Sequence, residues 1–270
     1  YARRLAATNT EVLRNLGTLA DEGGQTELAL QVFEEYMAET ADESKISSDV
    51  YMRLGRIHAR LREHDEAVHY LRKSLVANVN SSNYYFQYTQ GHTLVALASS
   101  LAASGRLADA VDTLKTHAAR IQYYGDEPSL QAGFALAVAY DRDEQRSNAF
   151  EMLDLLINAS QGSYGAVAYT ALSRLSFTPA IDQHYYYALL YESLGYLTEA
   201  RTEWSAYARG GDEALFRGRA LDHIDAIDAM LEEKLAKDQA EAKAARRTRR
   251  GRGATPPPTT PPQPPVYPVP

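Results

Sequence analysis

Five times between Gly17 and Trp204 the chain repeats one spacing. A small residue (Gly17, Gly55, Ala98, Ala137, Ala188) is followed twelve positions later by an alanine (Ala29, Ala67, Ala110, Ala149, Ala200). Four positions after that comes a bulky apolar side chain: Phe33, Leu71, Leu114, Leu153 or Trp204. A large residue precedes each small one (Leu16, Leu54, Leu97, Leu136, Tyr187). Two antiparallel helices that cross closely need this pattern. Only Gly or Ala fits where the axes approach, and larger neighbours fill the space on either side. One such pair cannot bury its apolar face, so the pairs must stack.

Proline placement agrees. Nine of the 11 prolines lie between Pro256 and Pro270, and the other two, Pro128 and Pro179, fall between helical patterns. Residues 1 to about 250 therefore read as helical material with short connectors. Residues 251–270 read as a solvated tail that favours polyproline II.

The repeated unit resembles the tetratricopeptide repeat. The copy at residues 184–208, HYYYALLYESLGYLTEARTEWSAYA, carries Tyr191, Leu194-Gly195, Ala200 and Trp204 at family positions. Residues 17–36, 96–118 and 54–71 give further copies. Residues 135–156 give the weakest, with Asp143-Glu144 where a Leu-Gly turn belongs. The resemblance implies an all-α, right-handed solenoid of about five helix pairs over residues 11–210. The anchors are 38, 43, 39 and 51 residues apart, against about 34 in the family. The connectors are therefore longer than usual, and the last gap has room for an extra helix over residues 164–175.

The ends extend this plan. Residues 1–10 read as a lead-in or as the end of a preceding helix. Leu215, Phe216, Leu221, Ile224, Ile227, Leu231 and Leu235 fall near helical spacing, which predicts a capping helix over residues 211–236. A basic helical extension over 237–252 and a proline-rich tail over 253–270 follow.

Composition excludes several function classes. There is no cysteine, hence no disulfide, thiolate metal site or thiol nucleophile. No apolar run approaches the ~20 residues of a membrane span. The chain begins at Tyr1 rather than Met, as after trimming, which leaves open a removed leader, anchor or further repeat. The net charge is −7, and the six cations between Lys243 and Arg252 leave the remainder more acidic still. An acidic body with a basic tail is not the footprint of a broad nucleic-acid face. The seven histidines form no metal-binding spacing, and there is no phosphate loop or nucleophile elbow. The expectation is a non-catalytic protein with neither cofactor nor metal.

Binding is the better expectation. In the family, the first helix of each pair lines the concave surface three positions before and one after the small anchor. The first set here is Arg14, Met52, Val95, Phe134 and Tyr185; the second is Thr18, Arg56, Ser99, Val138 and Leu189. The Lys and Asn pair with which some members clamp a terminal carboxylate is absent. Met52, Arg56, Val95, Phe134, Val138, Tyr185 and Leu189 are instead expected to form a largely apolar partner-binding groove, or else to pack between repeats. Tyr84, Tyr85, Tyr88, Tyr123 and Tyr124 are expected in connectors, as a second contact surface or as covers over helix ends.

The tail offers Arg246, Arg247, Arg249 and Arg250 to an acidic partner. Pro256, Pro264 and Tyr267 suit an aromatic groove, or the whole tail is a spacer. The expected function is a protein-binding scaffold in a multiprotein assembly. The alternative is a permanent structural subunit using its convex face, tyrosine loops and tail. Membrane contact is expected only indirectly or through a removed anchor. A bacterial periplasm or cell envelope is the expected address, with the cytoplasm as the other. The oligomeric state is left open.

Overall fold

Every turn between the two helices of a pair has the same backbone, and this turn sets the architecture. Seven residues after each small anchor, one residue adopts the left-handed conformation: Gly24, Arg62, Gly105, Glu144 and Gly195, with φ between 59° and 76°. The next amide then donates back across the helix end: Gln25 to Ala20, Glu63 to His58, Arg106 to Leu101, Gln145 to Tyr140 and Tyr196 to Tyr191, at 2.8–2.9 Å. This closure satisfies helix-end carbonyls and reverses the chain.

The computed structural model describes residues 10–40, 42–78, 84–118, 127–159 and 164–251. Among these the pairs are α1 (Thr10–Glu22) with α2 (Thr26–Glu39), and α3 (Ser48–Arg60) with α4 (His64–Asn78). Next come α5 (Tyr84–Ala103) with α6 (Leu107–Ala118), and α7 (Glu127–Arg142) with α8 (Arg146–Ala159). The extra helix α9 (Tyr164–Ser173) precedes the fifth pair, α10 (Asp182–Ser193) with α11 (Leu197–Ala208). Short 3-10 turns lie at Glu43–Lys45 and Gly211–Glu213, and α12 runs from Arg217 to Gly251. No described residue is in a strand, so the chain is an all-α solenoid of stacked pairs.

The anchors behave as the spacing requires. A Cβ on Gly17 would lie 2.7 Å from the Phe33 ring, and one on Gly55 would lie 2.5 Å from Leu71 Cγ. The five alanines are completely buried, and so are Phe33, Leu71, Leu153 and Trp204, with Leu114 nearly so. Each such large side chain stabilises the fold by roughly 1.5–3 kcal/mol. The first helix of each later pair packs on both helices of the pair before it.

Two boundaries differ from expectation. The capping and basic segments form one helix, α12, and Leu215 and Phe216 precede it. Tyr207 Oη accepts from the Phe216 amide at 3.2 Å, which holds the chain in a turn there. Tyr84, Tyr85 and Tyr88 lie in the first turns of α5, not in a connector, because the helix begins earlier than the repeat alone suggests.

The described residues fall into two compact units divided after Asp225. In the second, the α12 surface from Glu232 to Arg246 is solvated. Ala, Glu, Lys and Arg sustain the helix there by propensity, with Glu233 and Lys237 paired at 2.7 Å. No described helix is long and apolar enough to cross a membrane.

Candidate partner-binding site

The residues expected to line an open groove are mostly interior. Met52, Val95, Phe134, Val138, Tyr185 and Leu189 are all buried, and Ser99 with them; Arg56 is half-buried. The reason is curvature. Ser99 on α5 donates to Asp182 at the start of α10, two pairs further on, at 2.9 Å. Arg142 on α7 binds the other oxygen of the same carboxylate at 2.7 Å. The concave faces of pairs three to five therefore close on one another, and their apolar side chains fill the closure. A substitution at Phe134 tests packing rather than docking.

Open space lies elsewhere: a concavity of about 810 Å³ beside α4, lined among others by Tyr51, Val68, His69 and Lys73, and a smaller one reached by Arg56. The smaller cavity, of about 310 Å³, has one wall from the end of α3 and its turn, with Arg56, Arg60, Arg62 and His64. The opposite wall is the segment Phe177–Thr178–Pro179–Ala180, and the 3-10 turn adds Asp212, Glu213 and Leu215. The cavity thus has an apolar floor, a basic side and an acidic side. Of the expected groove residues it contains Arg56 alone.

The fifth pair also takes part in a buried charge cluster shared with α7 and the start of α12. The His223 ring lies flat on Trp204, with centroids 4.3 Å apart and planes 14° apart. Its Nδ1 faces Glu192 Oε2 at 2.8 Å, and its Nε2 faces both Asp141 oxygens at 3.0 Å. Two carboxylates require both ring nitrogens to donate, which is the charged imidazolium. Burial alone would depress the His223 pKa, but these two partners outweigh it and raise it.

Asp141 also accepts from Tyr185 Oη and Arg219 Nη2, each at 2.6 Å. Burial pushes the Asp141 carboxyl up, yet bonds from His223 and Arg219 hold it down at about 2. Glu192 takes Trp204 Nε1 at 3.1 Å and Arg146 at 2.8 Å. The Tyr185 phenol is pushed well above its usual range by burial and by Asp141.

His223, Asp141 and Glu192 are buried, and they bond one another and their arginine, tyrosine and tryptophan neighbours. The cluster fastens the start of α12 to α7 and α10. No described cluster of histidine and carboxylates has metal-holding geometry. Sequence reasoning missed this site. A signal existed: an acid stands four residues after the small anchor in pairs one, four and five (Asp21, Asp141, Glu192).

The remaining expected contacts are only partly placed. Arg246 is solvent-exposed on α12, and Arg247, Arg249 and Arg250 lie in the same helix. Tyr123, Tyr124, Pro256, Pro264 and Tyr267 lie outside the described residues.

The pattern of known families agrees with the helix pairs. A sequence model of the tetratricopeptide repeat matches residues 48–76, which are the α3/α4 pair. No curated protein matches the chain. The match falls on a pair whose anchor, buried alanine and left-handed turn recur in four others, which supports a tetratricopeptide-repeat architecture along the solenoid.

Proposed function

We propose that the chain is a non-catalytic scaffold that binds a segment of a partner protein within a larger assembly. The observation that supports this is the 310 Å³ cavity, walled by residues that are distant in sequence and framed by opposite charges. Its apolar floor suits a side chain, and its two charged walls suit the flanking polar groups of an extended segment. The cell envelope is the address we propose, resting on the proline-rich tail and the absence of cysteine.

Ala180 is exposed and lines the cavity, so Ala180→Trp fills the mouth without touching the core. Affinity capture from fractionated cells should recover a stoichiometric partner with the native chain and lose it with Ala180→Trp. Retention of the partner by the folded variant would remove the cavity from the account. Loss on truncation after Arg247, with retention by Ala180→Trp, favours the second reading of a subunit held by its tail.

A further inference from the structure

Four tyrosine rings form a continuous row along the fifth pair and the helix before it. Tyr169 of α9 lies 5.4 Å from Tyr187 of α10, Tyr187 lies 6.3 Å from Tyr191, and Tyr191 lies 6.4 Å from Tyr196. Tyr187 and Tyr191 are one helical turn apart and so share a face. Tyr196 follows at the left-handed turn, and α9, inserted between pairs four and five, brings in Tyr169. The end rings are open: Tyr169 is 50% exposed and Tyr196 55%. The two middle rings are half-buried and supply the floor.

One side of the row is acidic. Burial raises the Tyr191 phenol most, Tyr169 next, and Glu203 and Glu199 of α11 stand close enough to add to it. His184 bonds Glu203 at 2.6 Å, and Glu199 is exposed. The row therefore offers stacked faces beside negative charge. An extended proline-rich strand beside arginines has the complementary chemistry. Polyproline II advances ~3.1 Å per residue, so rings at these spacings meet such a strand about every two residues.

This chain carries that ligand itself. Residues 246–252 hold five arginines, and residues 256–270 hold nine prolines. We infer that the tyrosine row of Tyr169, Tyr187, Tyr191 and Tyr196 receives the arginine- and proline-rich C-terminal segment of a second copy of this chain. The tail follows a helix of 35 residues, ~52 Å long. Reciprocal exchange of tails closes a two-fold dimer.

Two full-length variants test this. The first, Tyr169→Ser with Tyr196→Ser, breaks the row at its exposed ends and keeps the tail. The second, Pro261→Ser, Pro262→Ser, Pro264→Ser and Pro265→Ser, breaks the tail and keeps the row. Sedimentation velocity should show a native dimer that weakens with added salt. Each variant alone should associate at least about tenfold more weakly, with an unchanged helical spectrum. Mixed together, the variants should pair again, since the mixture restores one intact row facing one intact tail. Monomeric native protein would overturn the inference. So would a mixture that associates no better than either variant alone, which is the result if the tail folds back on its own chain or serves another partner.

Discussion

The junction of the first two pairs and the junction of the last pair with α12 use the same acidic position and reach different results. At the front, Asp21 binds Arg53 at 2.9 Å and also binds Arg60, while Arg53 reaches Asp49 and Glu22. Asp21 is nearly covered, but Glu22 is 59% exposed and Asp49 43%, so water shares the charge. At the back, Asp141 and the His223 side chain are 0% exposed, and Glu192 is 2%. The front has always-charged arginines and spare partners. The back has a titratable cation held between two buried carboxylates, each of which keeps only one arginine besides, Arg219 on Asp141 and Arg146 on Glu192. The same device is therefore forgiving at one end of the solenoid and strict at the other.

The largest expected effect comes from removing the strict cation. His223→Ala leaves Asp141 and Glu192 with one arginine each and a void under Trp204, and should cost about 3 kcal/mol in urea unfolding. Asp21→Asn at the front should cost about 1 kcal/mol or less, because Arg53 keeps Asp49 and Glu22. Equal costs at the two ends would end the comparison.

Packing should not distinguish the ends. Ala29→Leu and Ala200→Leu each force a larger side chain into a completely buried crossing, against Phe33 and Trp204, and each should cost about 1–3 kcal/mol. An unchanged melting temperature in either variant would refute the shared crossing.

A pH series sharpens the contrast with a smaller change, because it removes charge without making a cavity. The folded pKa of His223 is raised, so its contribution is complete below the ordinary histidine value of ~6.5. It is lost as pH rises through the raised value. Asp141 is depressed to about 2, so its contribution is complete above ~3.9 and lost as pH falls toward about 2. Urea midpoints should decline on the alkaline side in the native chain, and His223→Gln should flatten that decline. An alkaline limb of the same size in His223→Gln would assign it to other groups.

Much of this fold is legible in the sequence because helix crossings impose steric rules on single positions. Gly17, Gly55 and the five alanines announce themselves by size. The openness of the concave face is not a property of single positions. It depends on how sharply successive pairs turn, which Ser99, Arg142 and Asp182 set across 40 to 83 residues. Phe134 and Leu189 therefore read as groove residues while lying in the interior. The cluster at His223 is hidden for another reason. Charged residues such as Asp141-Arg142 on α7 and His223 on α12 look solvated until the partners that neutralise them meet. Repeat four looks weakest because Asp143-Glu144 replaces Leu-Gly, yet its turn has the same geometry as the others.

That turn gives the smallest effect and the finest test of the repeat. Three pairs place Gly at the left-handed position, and two place Arg62 (φ 63°) and Glu144 (φ 59°) there. A side chain with a Cβ is strained in this conformation, whereas glycine adopts it freely but loses more entropy on folding. The strain term is the larger, so Arg62→Gly and Glu144→Gly should each stabilise the chain by about 0.5–1 kcal/mol in urea midpoints. Gly105→Ala should destabilise it by about the same amount. If Glu144→Gly lowers stability while Arg62→Gly raises it, the Glu144 side chain makes a contact specific to the back of the solenoid. The difference between the two junctions would then reach into the turns as well as the charges.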